Sequence, residues 1–400
     1  MKAFSVGKIW IVVAALTVLA SCSTTTVKST DVTPLKYSSA EVSEAELLDV
    51  GVIVFEAGIE EVLEDDNAIT LPEIRRAESQ FIPFHLTETL QQNGSWGAVR
   101  VIPNDSSMVD LYVLGDILHS EGETLELKIT AKDSSGRTWF TREYKEIASR
   151  YSYDDRKRQA AEPFQGLYNR IANDLLKFRE SLSAQQVQRI RTVTELKFAQ
   201  SFSPEAFSEY MVKNKKGTYD ILRLPPENDP LLQRVRQIRE RDYLFIDTLQ
   251  DYYSSFALEM EGPYQEWRKL TYDEVIALRE LRRESTNRMI AGAAALIAGV
   301  AAAGSGDGSV RQAGAVGVLG GAYLIKSGLD KRTEAQIHVE ALQELGTSLE
   351  ADIQPQVIEL EDRTVTLSGT VDNQYDQWRD VLKEIYVTQT GGVTSNPSTN

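Results

Sequence analysis

The chain of 400 residues holds one cysteine, Cys22, and three histidines, His85, His119 and His338. A lone cysteine forms no disulfide within the chain, and such scarcity suits an oxidising periplasm, where spare thiols are liabilities. The histidines lie far apart, with no His-x-x-x-His pair and no cysteine partner, so no metal is expected. Also missing are a Gly-x-Ser-x-Gly elbow, a His-Glu-x-x-His run and any Cys/His couple. "GSGDGS", Gly304 to Ser309, spaces its glycines as a phosphate loop does, but no Gly-Lys-Ser/Thr follows and a helical segment precedes it. It is expected to be a hairpin tip. Acidic doublets such as Glu60-Glu61 and Asp65-Asp66 arise by chance among 59 acidic residues. No catalytic residue and no cofactor are assigned, and the chain is expected not to be an enzyme.

Positive charge is also in short supply. Against 59 acidic residues stand 43 lysines and arginines, a formal net charge of -16. This excludes a general attraction to nucleic acid or to anionic lipid. Long apolar runs are few. Ile9 to Ala20, "IWIVVAALTVLA", is 12 residues, too short for a settled membrane span, and it follows Lys2 and Lys8. Small residues come next, which is the order of a secretory signal. The junction Leu19-Ala20-Ser21-Cys22 resembles the lipobox of bacterial lipoprotein precursors. That resemblance implies that residues 1–21 are removed and that Cys22 carries lipid at the mature N-terminus. Several acyl chains anchor stably where one does not. Ser23, in place of an aspartate, implies sorting to the outer membrane, facing the periplasm. Removing Lys2 and Lys8 with the signal takes the charge to about -18 (-16 minus 2).

The fold class expected is α+β: an N-terminal α/β sandwich layer, a long helical middle region and a small C-terminal α-β-β-α module. Residues 22–46 are polar, rich in serine and threonine, and read as a flexible tether. Residues 47–150 give a β-α-β-β-β order. "LLDVGVIVFEAG" suits a buried strand, Pro72 to Gln92 a helix that Pro83 breaks or restarts, and "DSSGR" a hairpin turn at Gly136. Helices are expected on one face of this sheet. The pattern "VGVIVF … helix … VDLYVLGDI" resembles the α/β domain of envelope lipoproteins of the curli secretion channel type and of the TolB N-terminal domain. Residues 151–332 are read as helical, divided by Pro225-Pro226 and Gly262-Pro263 into segments rather than one rod. Arg234, Arg236, Arg239, Arg241 and Asp242 fit a solvated helix face better than a phosphate-binding ladder. Residues 333–390 form the α-β-β-α module, with Asp372 as helix N-cap, Val365 and Leu367 toward the helix and Trp378 in the core. "TVTLSGTV" before a helix makes it resemble the BON module of envelope proteins, which implies a phospholipid-associated fold. Residues 391–400 are an unstructured tail.

Residues 288–328 stand apart as two small-residue, nearly uncharged runs around a glycine loop. Ala291, Ala295, Gly299 and Ala303 recur at four-residue spacing in one arm, and Ala313, Gly317 and Gly321 in the other. Such stripes let helix backbones approach closely, in a membrane or in a tight soluble hairpin. Met289 to Gly306 is 18 residues without charge, at the lower limit for a span; Gln312 to Ile325 is 14 and falls short. Burial against protein and insertion into a bilayer both remain open. The function expected is a non-enzymatic envelope lipoprotein that acts as a scaffold or as an assembly, secretion or transport accessory. Its partners would be the membrane, through its lipid, and other envelope proteins, with a homo-oligomer open and no nucleic acid. The alternative is an oligomeric pore or lipid-handling component built from the hairpin.

Overall fold

A computed structural model describes residues 32–38, 42–64, 70–153, 162–226, 228–302, 353–360 and 363–390, with Gln343, Glu344 and Thr347 besides. The signal segment, Cys22, Ala303, Ala313, Gly317 and Gly321 lie outside the described residues. The class is α+β, as the sequence predicts.

In chain order the elements are β1 Val50–Ile53, α1 Ile59–Glu64, α2 Pro72–Gln92, β2 Val99–Ile102, β3 Leu111–Ser120, β4 Thr124–Asp133 and β5 Thr138–Ile147. Then come α3 Gln165–Glu180, α4 Ala184–Phe202, α5 Pro204–Phe207, β6 Met211–Lys213, β7 Tyr219–Ile221 and α6 Pro230–Ala302. β8 Ile353–Glu359, β9 Thr364–Gly369 and α7 Val371–Thr390 close the chain. Strands β1 to β5 make one mixed sheet in the order β2-β1-β3-β4-β5, with β1 parallel to both neighbours and the rest antiparallel. The β4–β5 turn uses Gly136 at φ 88°, a conformation that a Cβ resists.

The period of two is visible in the core. Val113, Ile117, Leu125, Leu127, Ile129 and Ala131 point to one side and share a cluster with Ile82, Leu86 and Leu90 of α2 and Leu167, Ile171 and Leu175 of α3. The opposite side is not left bare as expected. Val101, Ile102 and Tyr112 are buried there with Phe198 of α4 and Phe245, Ile246 and Leu249 of α6. Helices therefore cover both faces of the parallel half, β2-β1-β3, because buried strands there carry apolar residues in succession.

Both internal prolines are carried inside unbroken helices, against expectation. Pro83 has no N–H for the carbonyl of Ser79 four residues back, but the Phe55 N–H donates to that oxygen at 2.9 Å. Pro263 sits in the 73-residue α6. The ring of a proline clashes with the Cβ of the residue before it, and Gly262 has none, so the helix runs through. The break expected at Gly262-Pro263 is therefore absent, whereas the one at Pro225-Pro226 stands, in the non-helical stretch before α6. The middle of the chain is also not purely helical, since β6 and β7 form a hairpin turned at Gly217, φ 81°.

Residues 32–38, expected as free tether, lie along α3. Asn169 Nδ2 donates to Thr33 O at 2.7 Å, and Asn173 Nδ2 to Pro34 O at 3.0 Å, while Lys36 N donates to Asn173 Oδ1 at 2.7 Å. Leu35 packs on the main core. Further on, Arg179 and Arg191 donate to the carbonyls of Glu46 and Glu44. Two asparagines one turn apart on α3 grip this extended strand, a pairing invisible in composition.

One buried charge cluster joins the layers. Arg268 of α6 is 0% exposed, pairs with Glu162 just before α3 and stands 4.0 Å over the Tyr264 ring. Tyr264 OH donates to Glu78 of α2 at 2.5 Å, and Ser120 Oγ, at the end of β3, donates to the same oxygen at 2.5 Å. Nearby, His85 of α2 lies 3.4 Å from Glu88 and 3.5 Å from Glu261 of α6. Burial pulls its pKa down, but Glu261 and Glu88 outweigh that and raise it to about 9. A pKa raised above 6.5 in the fold means stabilisation that is fully present below pH 6.5 and lost as pH rises through about 9. Chemical denaturation across that window should show stability falling by up to about 3 kcal/mol, at 1.36 kcal/mol per unit. In His85→Gln this fall should disappear; an unchanged slope would refute the role given to His85.

Candidate functional site

The C-terminal elements pack on the rest of the chain through α7. Its buried residues, Val371, Gln374, Tyr375, Trp378, Arg379, Val381, Leu382 and Tyr386, recur every three or four positions, so one face turns inward. The helix begins one residue before the expected cap. Thr370 Oγ1 accepts from Asn373 N at 3.3 Å, the N-cap to N3 bond, while Asp372 lies in the first turn and accepts from Asn104 at 3.0 Å. Leu367 is buried and Val365 partly so, both on the helix side as predicted.

Trp378 is buried, but against α6 rather than within a separate module. Its ring stacks on Phe245 at 5.2 Å and 25°. Asp242, expected on a solvated face, is 1% exposed. It faces Arg379 at 3.5 Å and accepts from Tyr375 OH at 3.3 Å. Burial raises its pKa to about 6, against the opposing pull of Arg379. Arg379 also donates to Ser201 of α4 at 3.0 Å and lies 4.6 Å over the Phe202 ring. The sequence marks Asp242 as one charge among several on α6; only the fold supplies the partner 137 positions away (379 minus 242). From Val32 onward the chain forms one compact unit.

Between α6, β8 and the C-terminal half of α7 lies an open groove of about 790 Å³. Its walls are Leu244 and Thr248 on one side, Val357, Ile358 and Leu360 on another, and Ile385 and Thr388 on the third, with Phe245 and Trp378 at its floor. Leu244 is 67% exposed and Val357 62%, so two large apolar side chains stand in solvent at the rim. Arg241, Glu359, and the Arg363–Glu384 ion pair supply the polar border. The Trp378 indole Nε1 is buried and has no hydrogen-bond partner among the described residues. A concavity of this size, with apolar walls and a polar border, is a form binding sites take.

A second concavity, about 460 Å³, is polar and holds Asp49, Asp110, Arg191, Arg236, Arg239 and Tyr243. Its carboxylates are occupied. Asp110 accepts from Asp49 N at 3.0 Å and from Thr194 at 2.5 Å, and Asp49 accepts from Ala98 N at 2.9 Å. Burial pushes the pKa of Asp110 up. Arg239 lies 5.0 Å over the Tyr243 ring, so it too leaves the solvated face expected for it. These groups tie the starts of β1 and β3 to α4 and α6.

Of the residues singled out in the sequence, Ala291, Ala295 and Gly299 fall on the helical backbone of α6, spaced by four and so along one side of it. Among the described residues no helix is long and apolar enough to cross a membrane, and no group of three metal-ligating side chains occurs. No protein-family model, curated protein or solved structure matches this chain.

The groove was missed in the sequence because its walls are about 110 residues apart (Gln356 minus Thr248 is 108). Trp378→Ala in the full chain should cost about 3–5 kcal/mol, because the ring fills the joint between α7 and α6. A fragment of residues 333–390 lacks Phe245, so its tryptophan emission should be shifted toward the solvent-exposed limit relative to the full chain's Trp378. A fragment with a fully buried Trp378 would show that α6 is dispensable to it.

Proposed function

We propose that the protein is a non-enzymatic envelope lipoprotein, anchored by lipid on Cys22, that works as a scaffold by seating an apolar segment of another envelope protein in the groove between α6, β8 and α7. The observation that carries this reading is the groove itself, with Leu244 and Val357 exposed at its rim and Phe245 and Trp378 among its lining. Burying two such side chains yields about 1.5–3 kcal/mol each. The lipobox around Cys22 supports the envelope location, with the outer membrane favoured by Ser23. In favour of a binding role over catalysis, the buried Arg268, Asp242 and Asp110 each engage a neighbouring side chain, Glu162, Arg379 and Thr194. The lipoprotein and BON-like resemblances point to the same compartment.

Two experiments test this. Cys22→Ala should abolish acyl labelling of the protein and block its lipoprotein-type processing; labelling that survives the change overturns the anchor. Leu244→Glu with Val357→Glu should leave the melting midpoint of the purified protein almost unchanged, since both side chains are exposed. After mild solubilisation the native protein is expected to migrate as a complex larger than its own mass, and the double variant at its own mass. Equal migration of the two would refute the groove as a docking site.

A further inference from the structure

The N-terminal segment and the long helix leave the folded body at the same corner. Thr33 is held by Asn169, one turn into α3, and Pro34 to Lys36 run on beside Asn173. Followed backward, from Lys36 to Thr33 to Val32, the chain therefore heads toward the first turn of α3. That first turn is where α6 passes. Arg268 pairs with Glu162 and stands 4.6 Å over the ring of Phe164, the residue before α3 begins. Four residues on, Tyr272 meets Tyr153 at 5.4 Å between ring centres. The β3–β4 turn closes on the same place, since a Cβ on Gly122 would come within 2.0 Å of Arg268 O and 2.3 Å of Tyr272 N. Val275 is the last buried side chain of α6 among those described, and the helical backbone continues to Ala302.

From these exits we infer that the uncharged end of α6, Met289 to Ala302, is embedded in the same bilayer that holds the lipid of Cys22. This rests on the anchoring of Cys22 proposed above. Nine residues, Ser23 to Asp31, separate Cys22 from Val32. Fully extended, the ten steps between them span at most about 35 Å. The bilayer surface then lies within that distance of the corner. Beyond Val275, α6 has 27 more residues (302 minus 275). At 1.5 Å each they rise about 40 Å out of the corner, so the helix reaches the surface its own tether sets. Its sequence is ordered for that meeting. Arg282, Arg283 and Arg288 come first, at headgroup depth, and from Met289 to Ala302 no charge follows. The fourteen uncharged residues from Met289 to Ala302 rise about 21 Å, so this stretch of the helix fits within the roughly 30 Å of a hydrocarbon core.

The test uses the full-length lipoprotein, purified from membranes and reconstituted in phosphatidylethanolamine–phosphatidylglycerol vesicles, in two single variants, Ala295→Cys and Leu258→Cys. Cys22, once acylated, offers no thiol, so each variant presents one reactive group; the mass of the N-terminal peptide verifies the acylation. Leu258 is 76% exposed on the body of the protein. A water-soluble maleimide should label position 295 at least about tenfold more slowly than position 258, because a thiol in hydrocarbon does not ionise. A fluorophore attached at 295 in detergent before reconstitution should be quenched by brominated acyl chains, and one at 258 should not. Acylated Cys22 with equal labelling at both positions overturns the inference and leaves the anchor standing. Slow labelling at 295 without quenching overturns it also, since protein rather than lipid would then be the cover. Cys22 without lipid overturns the anchor, and the inference with it.

Discussion

Arg268 is the tie on which the arrangement depends. A guanidinium with no exposed surface is tolerated only when its charge is met, and here a carboxylate, a tyrosine hydroxyl and two aromatic faces surround it. Each partner comes from a different place: Glu162 before α3, Tyr264 from α6 itself, then Glu78 from α2 and Ser120 from β3 through the tyrosine. The cluster fixes the depth and rotation of α6 against the sheet. Apolar packing alone leaves a long helix free to slide by a turn, whereas an unpaired buried charge forbids the slip. The direction in which α6 leaves the body follows from that register.

The two ends of α6 are built on different rules. Toward its start it is walled in on the sheet by Phe245, Ile246 and Leu249, and it takes α7 on its flank through Asp242 and Trp378. Toward its finish the composition turns to alanine and glycine, which contribute little to a core. The helix is thus rooted at one end and plain at the other, and the groove beside Leu244 sits at the rooted end.

How much of this was legible in the sequence depends on the range of the interaction. The strands of the sheet, the hairpin at Gly136, the pair β8–β9 and the inward face of α7 follow from local period and turn chemistry, and they stand where the pattern puts them. Pro83 and Gly262-Pro263 misled because a local rule was broken by a distant or subtle compensation: the Phe55 N–H, just past β1, for the one, a missing Cβ for the other. Asp242 and Arg239 misled for a related reason. Surface and buried arginines look alike in a sequence, and only the carboxylates and rings brought to them by the fold tell them apart. The groove had no local signature at all.

The shared packing of α7 with the sheet has a consequence for how the chain is made. Tyr375, Trp378 and Leu382 lie in one apolar cluster with Val101, Ile102 and Phe198, so α7 completes a layer begun some 280 positions earlier (Leu382 minus Val101 is 281). Loop closure over that length is slow, and the layer stays open to solvent until the final helix arrives. A chain so arranged finishes this layer only after α7 has been made. Its most aggregation-prone interval is the one in which an exposed sheet face waits for α7.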